Sequence, residues 1–226
     1  KRLVLVETDA FYLPDTAGTD YRTKHTKTTI GIQEIDLDRK VLGYFHNASY
    51  YQLHGEDFVR TFRLDLPHDP NHMPFLAEFV RLDRIKRLPF RELAAHSRQL
   101  LCKHFARRPT TNPIQTFAAN FDRDIEWLKA EGLTTYHAYA FATLRQLGSA
   151  FEIASTYVKW LETHQQLKAS DIAHNCDQIA QIAKSMLLKT ARAVTTKRAV
   201  DFRPNLDDMA SSWDKVTSTF HALLAP

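Results

Sequence analysis

The chain has 226 residues, of which 44% are hydrophobic and 25% charged, and its formal net charge is +4 at pH 7. This composition is that of an ordinary globular protein with room for one large domain or two small ones. A charge of +4 does not by itself indicate nucleic-acid binding. No apolar run approaches the roughly 20 residues that a membrane-spanning helix needs. The two cysteines lack metal-binding or redox spacing, which favours a reducing, cytoplasmic location.

The first part of the chain is predicted to form strands. Residues 3–6 are a continuous apolar run, as in a central strand. Residues 28–35 are rich in β-branched side chains and residues 41–45 are again apolar, and the polar break between them predicts an antiparallel hairpin beside residues 3–6. Residues 58–64 are predicted to be a further strand. Three prolines then mark a boundary loop.

Beyond residue 75 the hydrophobic period becomes helical. Helices are predicted over residues 75–82, 89–105, 112–132, 134–162, 170–194 and 206–224. Asn112 and Pro113 provide a cap and a first helical residue, and Gly148 suggests a close approach between helices. Short links between the helices favour a bundle. The sequence thus predicts an α+β protein, with a β-rich part over residues 1–70 and a helical domain over residues 75–226.

His25 and Asn47 are the candidate catalytic residues of the β-rich part. His25 precedes one strand of the hairpin and Asn47 follows the other, and these two ends lie at the same end of an antiparallel sheet. We therefore expect His25 to approach Asn47 or its neighbour His46. A histidine oriented by an amide or carboxylate is half of a nucleophilic triad. A turn near residue 38 would place Asn47 opposite residue 29, so a bulge is needed to close the gap. The alternative is that these side chains only cap the strands.

Neither cysteine is predicted to be the nucleophile. Cys102 lies in the middle of a helix among Leu100, Leu101 and Phe105, so we expect a buried, unreactive thiol. Cys176 lies in the second turn of its helix, whereas a helix N-terminus lowers a thiol pKa mainly in the first turn.

A metal site in the helical bundle is the weakest alternative. Asp171 and His174 share a helix face at a spacing of i, i+3. The paired Glu-x-x-His motif of di-iron bundles is missing, however, and isolated histidines and carboxylates on helices are usually surface groups. No metal is therefore predicted.

Basic residues cluster in two stretches, residues 81–91 and residues 184–203. Helix-spaced basic side chains can dock an acidic partner, although such clusters are also typical of a solvated helix face. No nucleic-acid-binding motif accompanies them. The candidate partner-binding residues are Arg84, Arg87, Arg192, Lys197 and Arg198.

Three strings of the sequence resemble a bacterial family described only as a domain of unknown function. They are VETDAFYLPDTAGTDYRTKHTKTTI, LGYFHNASYYQLHGEDF and YHAYAFATLRQLGSAFEIASTYVKWL. That family is similar in layout to the acyltransferase of butirosin biosynthesis and to papain-like peptidases that process bacteriocins. Its members are often encoded near carrier proteins and aminoacyl-tRNA-synthetase-like ligases.

The resemblance implies a small papain-like antiparallel sheet, with His25 as base and Asn47 as its orienting residue. The nucleophilic cysteine of that pattern would lie upstream of Lys1. The implied activity is acyl or aminoacyl transfer from a carrier-protein thioester. The partner would then be an acidic acyl carrier protein, and phosphopantetheine would enter only as part of it, with no other cofactor. The alternative is a non-catalytic protein that binds the same partner through its basic helices.

Overall fold

The first unit of the chain is built on a five-stranded antiparallel sheet. The computed structural model describes residues 2–67, 69–71 and 73–224. The strands are β1 (Arg2–Asp9), β2 (Lys27–Asp36), β3 (Val41–His46), β4 (Ser49–His54) and β5 (Ala77–Arg81), in the spatial order β4-β3-β2-β1-β5. The predicted hairpin is confirmed: Gly31 of β2 lies opposite Phe45 of β3, and β1 pairs with the other edge of β2.

One face of this sheet carries a hydrophobic core. Side chains alternate between the two faces of a strand, so Val6, Ile30 and Tyr44 point to the same side and are buried there. Phe58 closes the core from a short helix, α1 (Gly55–Thr61). The strand predicted over residues 58–64 is therefore wrong. Gly55 has a φ of +57°, which turns the chain out of β4, and the apolar residues that follow recur at a helical spacing.

The helix predicted over residues 75–82 is also wrong, because this segment forms β5. Leu3 of β1 lies opposite Val80 of β5. The segment satisfies the backbone groups along the free edge of β1, and such tertiary pairing outweighs local helical preference. The chain consequently divides between residues 87 and 88, into units of residues 1–87 and 88–226, rather than between residues 70 and 75.

The second unit is helical, and the predicted α+β class is confirmed. Its helices are α2 (Phe90–Phe105), α3 (Pro113–Glu131), α4 (Leu133–Ala140), α5 (Gln146–Thr163), α6 (Ser170–Thr196) and α7 (Arg203–Leu224). A π-helical turn, Phe141–Arg145, joins α4 to α5 within the segment predicted as one helix. Asn112 caps α3 as expected, since its side chain accepts a hydrogen bond from the backbone N–H of Ile114 at 2.9 Å.

Two large apolar clusters hold the helices together. One includes Phe121 and Leu128 of α3 with Met186 of α6. The other joins Val158 of α5 to Phe220 of α7. Among the helices of the described residues, none has the length and apolar character to cross a membrane.

Candidate functional site

His25 lies at the end of the sheet where β1 stops and β2 begins. Its Nδ1 is 2.5 Å from Oδ2 of Asp9, the last residue of β1. Asp9 lies opposite Lys27 in the antiparallel register, so a residue just ahead of β2 falls beside it. The other carboxylate oxygen of Asp9 accepts a hydrogen bond from the backbone N–H of Phe11 at 3.0 Å. The carboxylate that holds His25 is thus itself fixed by the backbone.

The His25 ring is also oriented from its face. It stacks on the ring of Phe11, with centroids 4.3 Å apart and planes 8° apart. The side chain nevertheless remains 67% exposed. When Nδ1–H donates to Asp9, Nε2 is the nitrogen left to accept a proton, and among the described residues it has no hydrogen-bond partner. We call this pair the Asp9–His25 dyad.

A cleft of about 380 Å³ borders the Asp9–His25 dyad. Its lining includes the apolar side chains of Met73 and Phe75 together with Glu7 and Lys27, which form an ion pair at 2.9 Å. Thr8 also lines the cleft, and among the described residues its buried hydroxyl has no hydrogen-bond partner. A mixed apolar and charged cleft beside a histidine with one free nitrogen is a suitable place for proton transfer to or from a bound substrate.

His46 lies in a different environment from His25. Its Nδ1 is 2.6 Å from Oδ2 of Asp15, its Nε2 is 2.8 Å from the hydroxyl of Thr28, and Tyr44 donates its hydroxyl to the second oxygen of Asp15 at 2.5 Å. The side chains of His46 and Asp15 are only 5% and 1% exposed. Burial and the hydrogen bond to Asp15 raise the pKa of Tyr44, so its hydroxyl stays protonated and donates. We call these four residues the Asp15 network.

Asn47 contacts His46 and not His25. Its amide nitrogen lies 3.3 Å from Nδ1 of His46. That ring nitrogen carries at most one proton, and the carboxylate of Asp15 is the closer and stronger acceptor for it. Within the described residues, no hydrogen bond joins His25 to Asn47 or to His46.

The register of the hairpin explains the difference. Gly31 faces Phe45, so counting back places Asn47 opposite residue 29, as the turn position predicted. A bulge does occur in β2, between Ile32 and Glu34. It lies between the Gly31–Phe45 pair and the turn, so it does not shift the end of β2 that follows His25 towards Asn47. Sequence reasoning missed Asp9, although the same argument about shared sheet ends, applied to β1 and β2, would have found it.

The candidate partner-binding residues are all exposed. Arg84 and Arg87 belong to the first unit, and Arg192, Lys197 and Arg198 lie at and after the end of α6 in the second. None of the five takes part in an ion pair among the described residues.

The two cysteines differ in burial. Cys176 is 1% exposed, and burial, with a smaller contribution from Asp177, raises its pKa to about 12. Cys102 is only half-buried, so the prediction that it is buried is wrong. The physical reason is that Ala94 is the one fully buried residue among those described in α2, so the apolar face of this helix, which carries Cys102, is only partly covered. No group of three or more metal-ligating side chains that could hold an ion occurs in the described part of the chain.

Comparison with known protein families accounts for nearly the whole chain. Residues 1–82 match the DUF1839 N-terminal domain, and residues 90–222 match the DUF1839 C-terminal domain. The gap between these two matches contains the division between the two structural units. Searches of curated proteins and of solved structures gave no match. The chain therefore belongs to the DUF1839 family, with both of its domains present.

Proposed function

We propose that this protein is an acyl- or aminoacyl-transferase that moves a group from a carrier-protein thioester to an amine or hydroxyl acceptor. The observation that carries the proposal is the Asp9–His25 dyad, in which an exposed histidine is held by a carboxylate at 2.5 Å and borders a cleft. A ring fixed through Nδ1 presents Nε2 as a general base. Such a base is what a thiol or an amine needs in acyl transfer.

The proposed reaction has two half-reactions. Nε2 of His25 takes the proton of a cysteine thiol, and the thiolate attacks the thioester carbonyl. The bond between the carbonyl carbon and the phosphopantetheine sulfur breaks, and the carrier thiol leaves with the proton from the imidazolium. The acceptor then attacks the acyl-enzyme and gives its proton to His25, and the cysteine thiol is restored.

The nucleophile in this proposal is the cysteine that the papain-like resemblance assigns upstream of Lys1. Neither cysteine of the 226 residues suits the role. Cys176 is buried and its pKa is about 12, so almost none of it is thiolate at neutral pH. Cys102 lies on α2 of the helical unit, and within the described residues no side-chain hydrogen bond joins it to a histidine that could take its proton.

Asp9 takes the orienting role that the resemblance assigned to Asn47. A carboxylate both fixes the tautomer of the ring and stabilises the imidazolium that forms during transfer. An amide does only the first. Asn47 is then left as a residue at the end of β3, next to the Asp15 network.

The proposed donor is an acidic acyl carrier protein that binds to the exposed basic residues. Arg192, Lys197 and Arg198 are clustered in sequence and are unpaired among the described residues. Complementary charge speeds association and fixes orientation more than it raises affinity. Phosphopantetheine enters only as the arm of this partner.

The experiment uses the full-length protein and a carrier protein loaded with an acyl or aminoacyl group. Intact-mass spectrometry follows the loss of the group from the carrier and its appearance on the enzyme. His25→Gln should lower the transfer rate by about 10²- to 10⁴-fold, the usual contribution of a general base, and Asp9→Asn should lower it less. His54→Gln is the matched control, because His54 is an exposed histidine at the end of β4.

Two results would reject the catalytic proposal. An unchanged rate in His25→Gln would show that the dyad is not the base. A wild-type protein that binds the loaded carrier but never removes its acyl group would instead support a non-catalytic carrier-binding protein.

A further inference from the structure

The segment between β1 and β2, residues 10–26, shapes the surroundings of the Asp9–His25 dyad. We call it the 10–26 loop. It supplies Phe11, whose ring stacks on His25, and it ends in His25 itself. Backbone hydrogen bonds close its base, from the N–H of Ala10 to the carbonyl of Thr26 at 2.8 Å and from the N–H of Arg22 to the carbonyl of Phe11 at 3.0 Å. The position of the Phe11 ring thus depends on how the loop is held.

The Asp15 network fixes this loop to the sheet from inside. Both oxygens of Asp15 accept hydrogen bonds from β3, one from Tyr44 at 2.5 Å and one from His46 at 2.6 Å. The next residue, Thr16, donates its hydroxyl to the carbonyls of Ala10 and Leu13 at 3.0 and 2.9 Å. A short chain of contacts therefore runs from β3 through Asp15 and Thr16 to the residue that precedes Phe11.

His46 cannot itself act as the base. One ring nitrogen is engaged by Asp15 and the other by the hydroxyl of Thr28, and the side chain is 5% exposed. Burying the carboxylate of Asp15 is a costly way to hold a loop, because a buried charge loses its hydration, and well-packed apolar side chains of similar volume are often as stabilising or more so. What a buried, directional contact supplies instead is one defined geometry.

We propose that Asp15 is a positioning residue: by clamping the 10–26 loop onto β3, it holds Phe11 against His25 and so fixes the ring of the base. This inference rests on the proposed function, in which His25 is the base. It assigns to the Asp15 network a role in the geometry of the site in addition to its role in stability.

A second anchor of the same loop provides a matched comparison. Asp57 of α1 accepts a hydrogen bond from Tyr21 at 2.8 Å and pairs with Arg22. This anchor acts only through the side chains of Tyr21 and Arg22, and Arg22 is 40% exposed. The backbone hydrogen bond from Arg22 to Phe11 does not involve Asp57 and should remain when Asp57 is replaced. The proposal therefore expects the stacking of Phe11 on His25 to survive the loss of Asp57 but not the loss of Asp15.

The test measures the stacking directly by NMR. The ring of Phe11 shields the carbon-bound protons of the His25 imidazole and shifts their signals upfield, and the spectrum of His25→Gln identifies these signals. Asp15→Ala should lose most of the upfield shift, Tyr44→Phe should lose part of it, and Asp57→Ala should keep it. Signal dispersion across the rest of the spectrum shows whether each variant is folded.

The second readout is the transfer rate. A displacement of about 1 Å in a positioned group can lower a reaction rate by up to about 10²-fold. Tyr44→Phe should therefore lower kcat, and it should change KM little because Tyr44 does not line the cleft. If Asp15→Ala does not fold, Tyr44→Phe decides the question, because it removes a single hydroxyl. An unchanged upfield shift in folded Tyr44→Phe, or an equal loss in Asp57→Ala, would overturn the proposal. The two proposals can also fail separately. If Tyr44→Phe loses the upfield shift but His25→Gln transfers the acyl group at the wild-type rate, His25 is not the base, while Asp15 and Tyr44 still position the ring of Phe11 against it.

Discussion

Gly148 allows α5 and α6 to pack closely, and enlarging it should separate them. A Cβ atom at this position would lie 3.3 Å from the Cβ of Ala183 and 3.6 Å from the carbonyl oxygen of Ala180, both on α6. The residues that face it are themselves small, so no flexible side chain can move aside. Sequence analysis suggested this close approach, and the structure confirms it.

Two substitutions at Gly148 should differ sharply. In Gly148→Ala, the gain in helix propensity of up to about 1 kcal/mol opposes a contact that is only slightly too short, so the free energy of unfolding should change by less than about 1 kcal/mol. Gly148→Leu adds three further carbons against a backbone carbonyl and an alanine. Overpacking of this kind costs about 1–3 kcal/mol, and leucine should lie near the upper end because the opposing atoms cannot rotate away.

Urea unfolding of the two variants checks this prediction. Thr156→Leu is the matched control, because Thr156 is an exposed residue of α5, and surface substitutions usually change stability by under about 0.5 kcal/mol. If Gly148→Leu unfolded at the wild-type urea concentration with the same slope, the described packing of α5 on α6 would be incorrect.

Three further predictions concern other parts of the chain. At pH 8 a thiol reagent should modify Cys102 in the folded protein well before Cys176, whose burial raises its pKa to about 12; equal rates by mass spectrometry would contradict this. Asn112→Ala should lower the free energy of unfolding by about 1–2 kcal/mol, because it removes the cap of α3, and an unchanged urea midpoint would show that the cap is not needed. Reversing Arg192 and Arg198 to Glu should slow association with an acidic carrier protein and flatten its salt dependence, with little effect on folding. Equal binding by the variant and the wild type would remove these residues from the docking surface.

The sequence was informative wherever an element was long and its pattern local. The hairpin of β2 and β3 follows from β-branched and apolar runs on either side of a polar turn, and α3 follows from its cap and its hydrophobic period. The two wrong elements are short. α1 has seven residues and β5 has five, and over such lengths the partner that a segment meets in the fold outweighs its own preference.

The site was predictable only in part. His25 was found because it lies just ahead of β2, at the end of the sheet where β3 finishes with the polar residue His46 and is followed by Asn47. Asp9 was missed because the argument was applied to β2 and β3 and not to β1 and β2, where the register brings it within 2.5 Å of His25. Asp15 gave no signal, since a residue of an irregular loop has no periodicity that reveals whether it points inward. Its burial depends on partners in β3 that are about 30 residues away in the sequence.

His25 and His46 both contact a carboxylate through Nδ1 but differ at the second ring nitrogen, and that difference decides which of them can transfer protons. His46 uses both nitrogens, with Asp15 on one side and Thr28 on the other, and water hardly reaches it. For it to accept another proton, an existing hydrogen bond would have to break inside the core. His25 uses one nitrogen on Asp9 and is 67% exposed beside a cleft. His46 is therefore a structural residue, because it is buried and both of its ring nitrogens are hydrogen-bonded. His25 has the same kind of carboxylate contact but an exposed ring, which makes it the candidate base.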